Sequence, residues 1–95
     1  MLNSMAMDLE RLLIGIYDDL SSGLVAVSIS SRRAAMVQKL PNGAARVEFR
    51  SKTLDCVAEF RDGILQVNLA NGERLATVVD RELIGSTASL RRIRV

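Results

Sequence analysis

Chemistry in this chain would have to begin from carboxylates, one thiol and a set of arginines, because it contains no histidine. Without an imidazole there is no ready base near neutral pH and no Ser-His or Cys-His pair to activate a nucleophile. Cys56 alternates with Leu54, Ala58 and Phe60, which marks it as a buried, inert core thiol. A single cysteine also excludes an internal disulfide and a cysteine metal cage. Asp18-Asp19 and Asp80/Glu82 could offer oxygens to a hard cation, but neither has the ligand number or the glycine spacing of a calcium loop. Asp18 and Asp19 read more simply as the solvated face of a helix. The Asn-Gly loops lack the consecutive glycines and the Lys-Ser/Thr pair of a phosphate loop. These residues give no reason to expect an enzyme, a cofactor, a metal or a small-molecule substrate.

The arginines carry more information. Arg32 and Arg33 are adjacent, and Arg91, Arg92 and Arg94 crowd the last five residues. Residues 1–22 hold four acids against one base, whereas residues 23–95 hold twelve basic and seven acidic residues. An acidic N-terminal segment and a basic C-terminal one suit head-to-tail self-association. Arginines exposed at strand ends are the plainer reading. In the sharper one, Arg91, Arg92 and Arg94 dock on an acidic protein surface while Ile93 and Val95 bury beside them, as a strand added to a sheet edge. Arg32 and Arg33 join that set of interaction candidates. So does Ile14, an apolar residue off the main helical stripe.

The elements that position these residues follow from periodicity. Leu9, Leu12, Leu13, Ile16, Tyr17 and Leu20 form one stripe at the helical period. The expected helix spans 4–21, with Asn3 or Ser4 as its cap and Gly23 as its stop. From Gly23 the period becomes two. Val25, Val27 and Ile29 alternate with small residues, residues 33–40 form a second strand, and Ala45, Val47 and Phe49 alternate with Arg46, Glu48 and Arg50. Leu54, Cys56, Ala58 and Phe60 share a face, and Asp62-Gly63 is a strong two-residue hairpin signal. That turn pairs Arg61 with Ile64, Phe60 with Leu65, Ala58 with Val67 and Cys56 with Leu69, so pattern and turn agree.

Two further turns share a form. "LPNG" (residues 40–43) and "LANG" (residues 69–72) each fit a three-residue loop with glycine in the left-handed conformation. Pro41 suits the first corner of a type I turn. The second loop is expected to pair Val67 with Leu75 and Leu65 with Thr77. Residues 81–89 lose the alternation and read as a loop or a short helical turn. Residues 90–95 read as a last strand or a tail.

The run "LQVNLANGERLATVVD" (residues 65–80) resembles the first motif of Sm-type RNA-binding barrels: a strand, an Asn-Gly turn and a later Asp. A helix ahead of a small antiparallel sheet is similar to that family too. The resemblance implies a small nucleic-acid-binding barrel. Asp80, however, is followed by Arg81 where the family places a base-contacting Asn, and the motif lies in the third quarter of the chain. The outward residues Arg46, Glu48, Arg50, Asp55, Glu59 and Arg61 mix both signs, unlike a phosphate-tracking surface. Phe49 and Phe60 point inward, which leaves no aromatic platform for bases.

The chain is therefore expected to be one α+β domain, 1–95. It should place an N-terminal amphipathic helix on a meandering antiparallel sheet of five to seven strands over 23–80, open or closed into a small barrel. Nearly half the residues are hydrophobic (48%) yet only 3% are aromatic, so the core must be aliphatic. No apolar run approaches the ~18 residues of a membrane span, and Asp8 and Glu10 stand where a signal peptide would want basic residues. A cytoplasmic, non-enzymatic assembly subunit is the expected function, of the kind found in phage or virion connectors, secretion apparatus and protein inhibitors. Its partners would be protein, either itself or other subunits. The Sm-like or other β-barrel nucleic-acid-binding protein is the alternative.

Overall fold

A computed structural model describes residues 2–30, 32–51 and 54–85. The expected C-terminal strand or tail, with Arg91, Arg92, Ile93, Arg94 and Val95, lies outside the described residues. Among the described residues the fold is α+β: one α-helix, α1 (Leu2–Ser21), and two antiparallel sheets. β1 (Ala26–Ser30) and β2 (Arg33–Met36) form a two-stranded sheet. β3 (Gln38–Lys39), β4 (Ala45–Ser51), β5 (Leu54–Arg61), β6 (Ile64–Leu69), β7 (Arg74–Val79) and β8 (Glu82–Ile84) form a six-stranded meander in chain order. No closed ring of strand pairing runs through the described residues.

α1 begins at Leu2, so Asn3 and Ser4 lie inside its first turn instead of capping it. Its C-terminal end is as expected. Gly23 takes φ +77°, and a Schellman pair of bonds closes the helix: the Gly23 N–H donates to the Leu20 carbonyl and the Leu24 N–H to the Asp19 carbonyl, both at 3.1 Å. Leu9, Leu13, Ile16 and Leu20 of the stripe are buried, with Leu13 and Ile16 fully inaccessible. They meet an aliphatic sheet face made by Val27, Ala45, Val47, Phe49, Cys56, Ala58, Leu65, Val67 and Val78. Tyr17 and Phe60 meet edge to face, with ring centroids 5.7 Å apart. Burying each large aliphatic side chain contributes about 1.5–3 kcal/mol, so this helix–sheet contact dominates the fold's stability.

The expected second strand over 33–40 is broken at Val37. Its first part, β2, pairs with β1, and its second, β3, pairs with β4. The Val37 N–H still donates to the Val25 carbonyl at 2.9 Å, so the chain bends at Val37 without losing that bond. The bend is why one run of residues serves two sheets.

Asp62-Gly63 forms the expected tight turn, both residues having positive φ, and the register across it is Arg61↔Ile64, Phe60↔Leu65, Ala58↔Val67 and Cys56↔Leu69. The two Asn-Gly loops share their length and closing bond: the Leu40 N–H donates to the Ala44 carbonyl and the Leu69 N–H to the Glu73 carbonyl. Gly43 (φ +77°) and Gly72 (φ +92°) are both left-handed. The inner turns differ. In the first loop Asn42 is also left-handed and the Ala44 N–H reaches the Pro41 carbonyl, so Asn42-Gly43 is the centre of the turn and Pro41 is not. In the second the Gly72 N–H returns to the Leu69 carbonyl, and the Glu73 N–H donates to Asn71 Oδ1 at 2.9 Å.

The register beyond the second loop corrects the expected one. Asn68 pairs with Arg74 as a three-residue loop requires, but Val67 then faces Ala76, and Leu65 faces Val78. Leu75 is the extra residue of a β-bulge. The bulge lets Leu75 (2% exposed) and Ala76 (1%) both enter the core, which strict alternation forbids. A further difference follows β7. Asp80 (φ +52°) and Arg81 (φ +63°) make a two-residue turn, and Glu82–Ile84 is strand β8 where a loop or helical turn was expected. Neither residue is glycine, so the turn carried no glycine signal in the sequence.

Candidate interaction surface

The outer face of the meander is polar and largely self-paired. Arg46 lies 3.5 Å from Glu48, Arg50 3.4 Å from Asp55, and Arg61 3.0 Å from Glu59. Arg74 Nε donates to Asn68 Oδ1 at 2.6 Å. Each ion pair is exposed and worth about 0–1 kcal/mol. Together they cancel the charge of this face and leave no basic track across it.

The helix aspartates are not merely solvated. Asp18 Oδ1 lies 3.0 Å from Arg81 Nε, and Asp19 Oδ2 accepts a hydrogen bond from the Ser28 N–H at 3.4 Å. Adjacent carboxylates thus tie the end of α1 to β1 and to the β7–β8 turn. The resulting contacts are within the chain, so Asp18 and Asp19 are engaged where the sequence reading held them as solvent-facing acids. Ile14 is half-buried and packs against the core, on the margin of a broad helix face. Arg32 and Arg33 are exposed at the tip of the β1–β2 hairpin.

Cys56 is 2% exposed, and its Sγ–H points to the Leu54 carbonyl at 3.8 Å. Burial, aided by the charge of Asp55, pushes its pKa up to about 11. A thiol so placed is protonated and sterically screened at neutral pH. On the outer face, Glu59, Arg61, Asp62, Ile64 and Gln66 line a shallow concavity of about 170 Å³. It lies open on the sheet face and is smaller than an ordinary small-molecule site.

The unexpected feature is where exposed apolar side chains gather. Among the described residues the large ones are Leu24 (47%), Val25 (63%), Met36 (73%), Ile64 (37%) and Ile84 (57%). They fall into two groups. Leu24 and Val25 lead into β1, whose Ala26 is the register partner of Met36. Ile64 pairs with Val79, Val79 with Glu82, and Ile84 with Thr77, all on the outer face of the sheet's other edge. Sequence reasoning passed over these residues. The one available signal was register, since the hairpin that puts Arg61 outward must put Ile64 outward as well.

The run that resembles the Sm motif folds as β6, a tight turn and β7. Asn71 Oδ1 is taken by the turn's own backbone, and Asp80 sits in the next turn. Phe49 is buried, and Phe60 is half-buried against Tyr17. Within the described residues no helix is long and apolar enough to cross a membrane. Comparison with protein-family models, with curated proteins and with solved structures finds no match to this chain.

Proposed function

We propose that this chain is a non-catalytic structural or adaptor subunit, acting through self-association or as part of a larger protein assembly in the cytoplasm. One observation supports the reading above others. Among its described residues, a small domain that has paired most of the charges on its main sheet face leaves five large apolar side chains exposed, in two groups. Scattered exposed hydrophobics are ordinary, but clustered ones on a domain this small mark a contact surface. Connectors of phages or virions, secretion-apparatus parts and protein inhibitors are assemblies of this kind.

Sedimentation velocity over a wide concentration range tests the reading, together with oligonucleotide titration at low and high salt. A mass that grows with concentration, and no oligonucleotide shift, supports the assembly subunit. A constant monomer mass with oligonucleotide binding that weakens steeply as salt rises overturns it in favour of the Sm-like alternative.

A further inference from the structure

We infer that the chain associates head to tail with a second copy of itself, the β1–β2 hairpin of one copy seating on the β6–β8 outer edge of the next. The inference rests on the self-association reading and names its surfaces. The first surface holds Leu24, Val25 and Met36, with Arg32 and Arg33 at the hairpin tip. The second holds Ile64 and Ile84 beside Asp62, Asp80 and Glu82. The β5–β6 and β7–β8 turns leave the sheet at the same end, because β6 and β7 run antiparallel and Ile64 faces Val79. Asp62 and Asp80 therefore share that end, and Glu82 faces Val79 one strand further on.

The charges on these two surfaces are among those that have no ion-pair partner among the described residues, as are Glu10, Arg11 and Lys39 elsewhere on the chain. Arg46, Arg50, Arg61 and Arg81 have acidic partners within the chain, whereas Arg32 and Arg33 have none among the described residues. Asp18, Glu48, Asp55 and Glu59 are likewise paired, and Asp19 is held on the Ser28 amide, whereas Asp62, Asp80 and Glu82 have no partner among the described residues. Arg61 and Arg81 lie near the acidic surface but are committed to Glu59 and Asp18. An apolar patch with a basic rim and an apolar patch with an acidic rim are complementary to each other and not to themselves. A two-fold contact through either patch alone would place like against like. A head-to-tail contact does not, and it generates a ring or a filament.

The test is sedimentation equilibrium on the wild-type chain, on Arg32→Glu/Arg33→Glu, and on Asp62→Asn/Glu82→Lys. Asn is used at position 62 because it tolerates the left-handed backbone of that turn. Each variant alone should associate at least ten-fold more weakly than wild type, and an equimolar mixture of the two should regain association, because each keeps the surface the other has lost. If circular dichroism shows that a charge variant has lost its fold, Met36→Ser and Ile84→Ser replace the pair, with the same expected outcomes. If the wild-type chain assembles but only the arginine variant weakens it, or neither does, the head-to-tail inference falls and self-association stands. If the wild-type chain is a monomer at every concentration, self-association falls with it.

Discussion

Arg81 Nε lies 3.0 Å from Asp18 Oδ1, which fastens the turn between β7 and β8 to the last turns of α1. The turn is held in a costly conformation, since Asp80 and Arg81 both have positive φ. A left-handed conformation costs a non-glycine residue on the order of 1 kcal/mol, more for a β-branched one. An exposed ion pair returns about 0–1 kcal/mol, so the pair offsets the strain only in part. Arg81→Gly should therefore be at least as stable as wild type, and Arg81→Val should lose about 2 kcal/mol. Asp18→Asn should cost less than about 1 kcal/mol. Thermal melts of the three variants check the order, and a marked loss in Arg81→Gly would show that the pair outweighs the strain.

Gly43 and Gly72 close two loops of equal length with left-handed backbones. Space is open around each of them, so the restriction is conformational and not steric. Valine at either position should destabilise the fold by about 1–2 kcal/mol or more. Unchanged denaturant midpoints for both variants would contradict the shared need for a left-handed glycine.

Cys56 should react slowly with thiol reagents in the native state and rapidly once the chain is unfolded. Its pKa is pushed from 9.0 up to about 11, first by burial and then by Asp55. Folding therefore favours the neutral thiol. The sign follows: this contribution is fully present below about pH 9 and is lost as pH rises toward 11. Stability measured across that range should fall more in wild type than in Cys56→Ala. Rapid native labelling would place the thiol at the surface.

Gly85 lies against the β-bulge. A Cβ built there would sit 3.3 Å from Ala76 Cα and 3.4 Å from the Leu75 carbonyl oxygen. Those are backbone atoms of the segment that seats both Leu75 and Ala76 in the core, so they yield poorly. Gly85→Ala should cost about 1 kcal/mol, and Gly85→Leu clearly more. An increase in melting temperature for Gly85→Ala would mean that the bulge relaxes and that the lower entropy of the unfolded chain prevails.

The sequence by itself determined the helix and its buried stripe, the alternation that builds β4, β5 and β6, and the Asp62-Gly63 register. In each case local pattern and turn chemistry require the same answer. A slip of one residue would turn Phe60, Ala58 and Cys56 to solvent. It also determined the left-handed glycines, because their loop lengths keep apolar faces together. It could not place the bulge at Leu75, since a run with apolar residues on both parities satisfies two registers and only the core beneath chooses between them. The Asp80-Arg81 turn carried no glycine, so β8 was invisible until packing against β7 was known. The bend at Val37 likewise depends on which strands lie on either side. The candidate contact surfaces were the least legible part. Met36 reads as an ordinary apolar strand residue and Ile84 as part of a loop or helical turn, and only the tertiary structure decided that they face outward, because exposure is a property of what fails to pack against a residue and no local pattern records it.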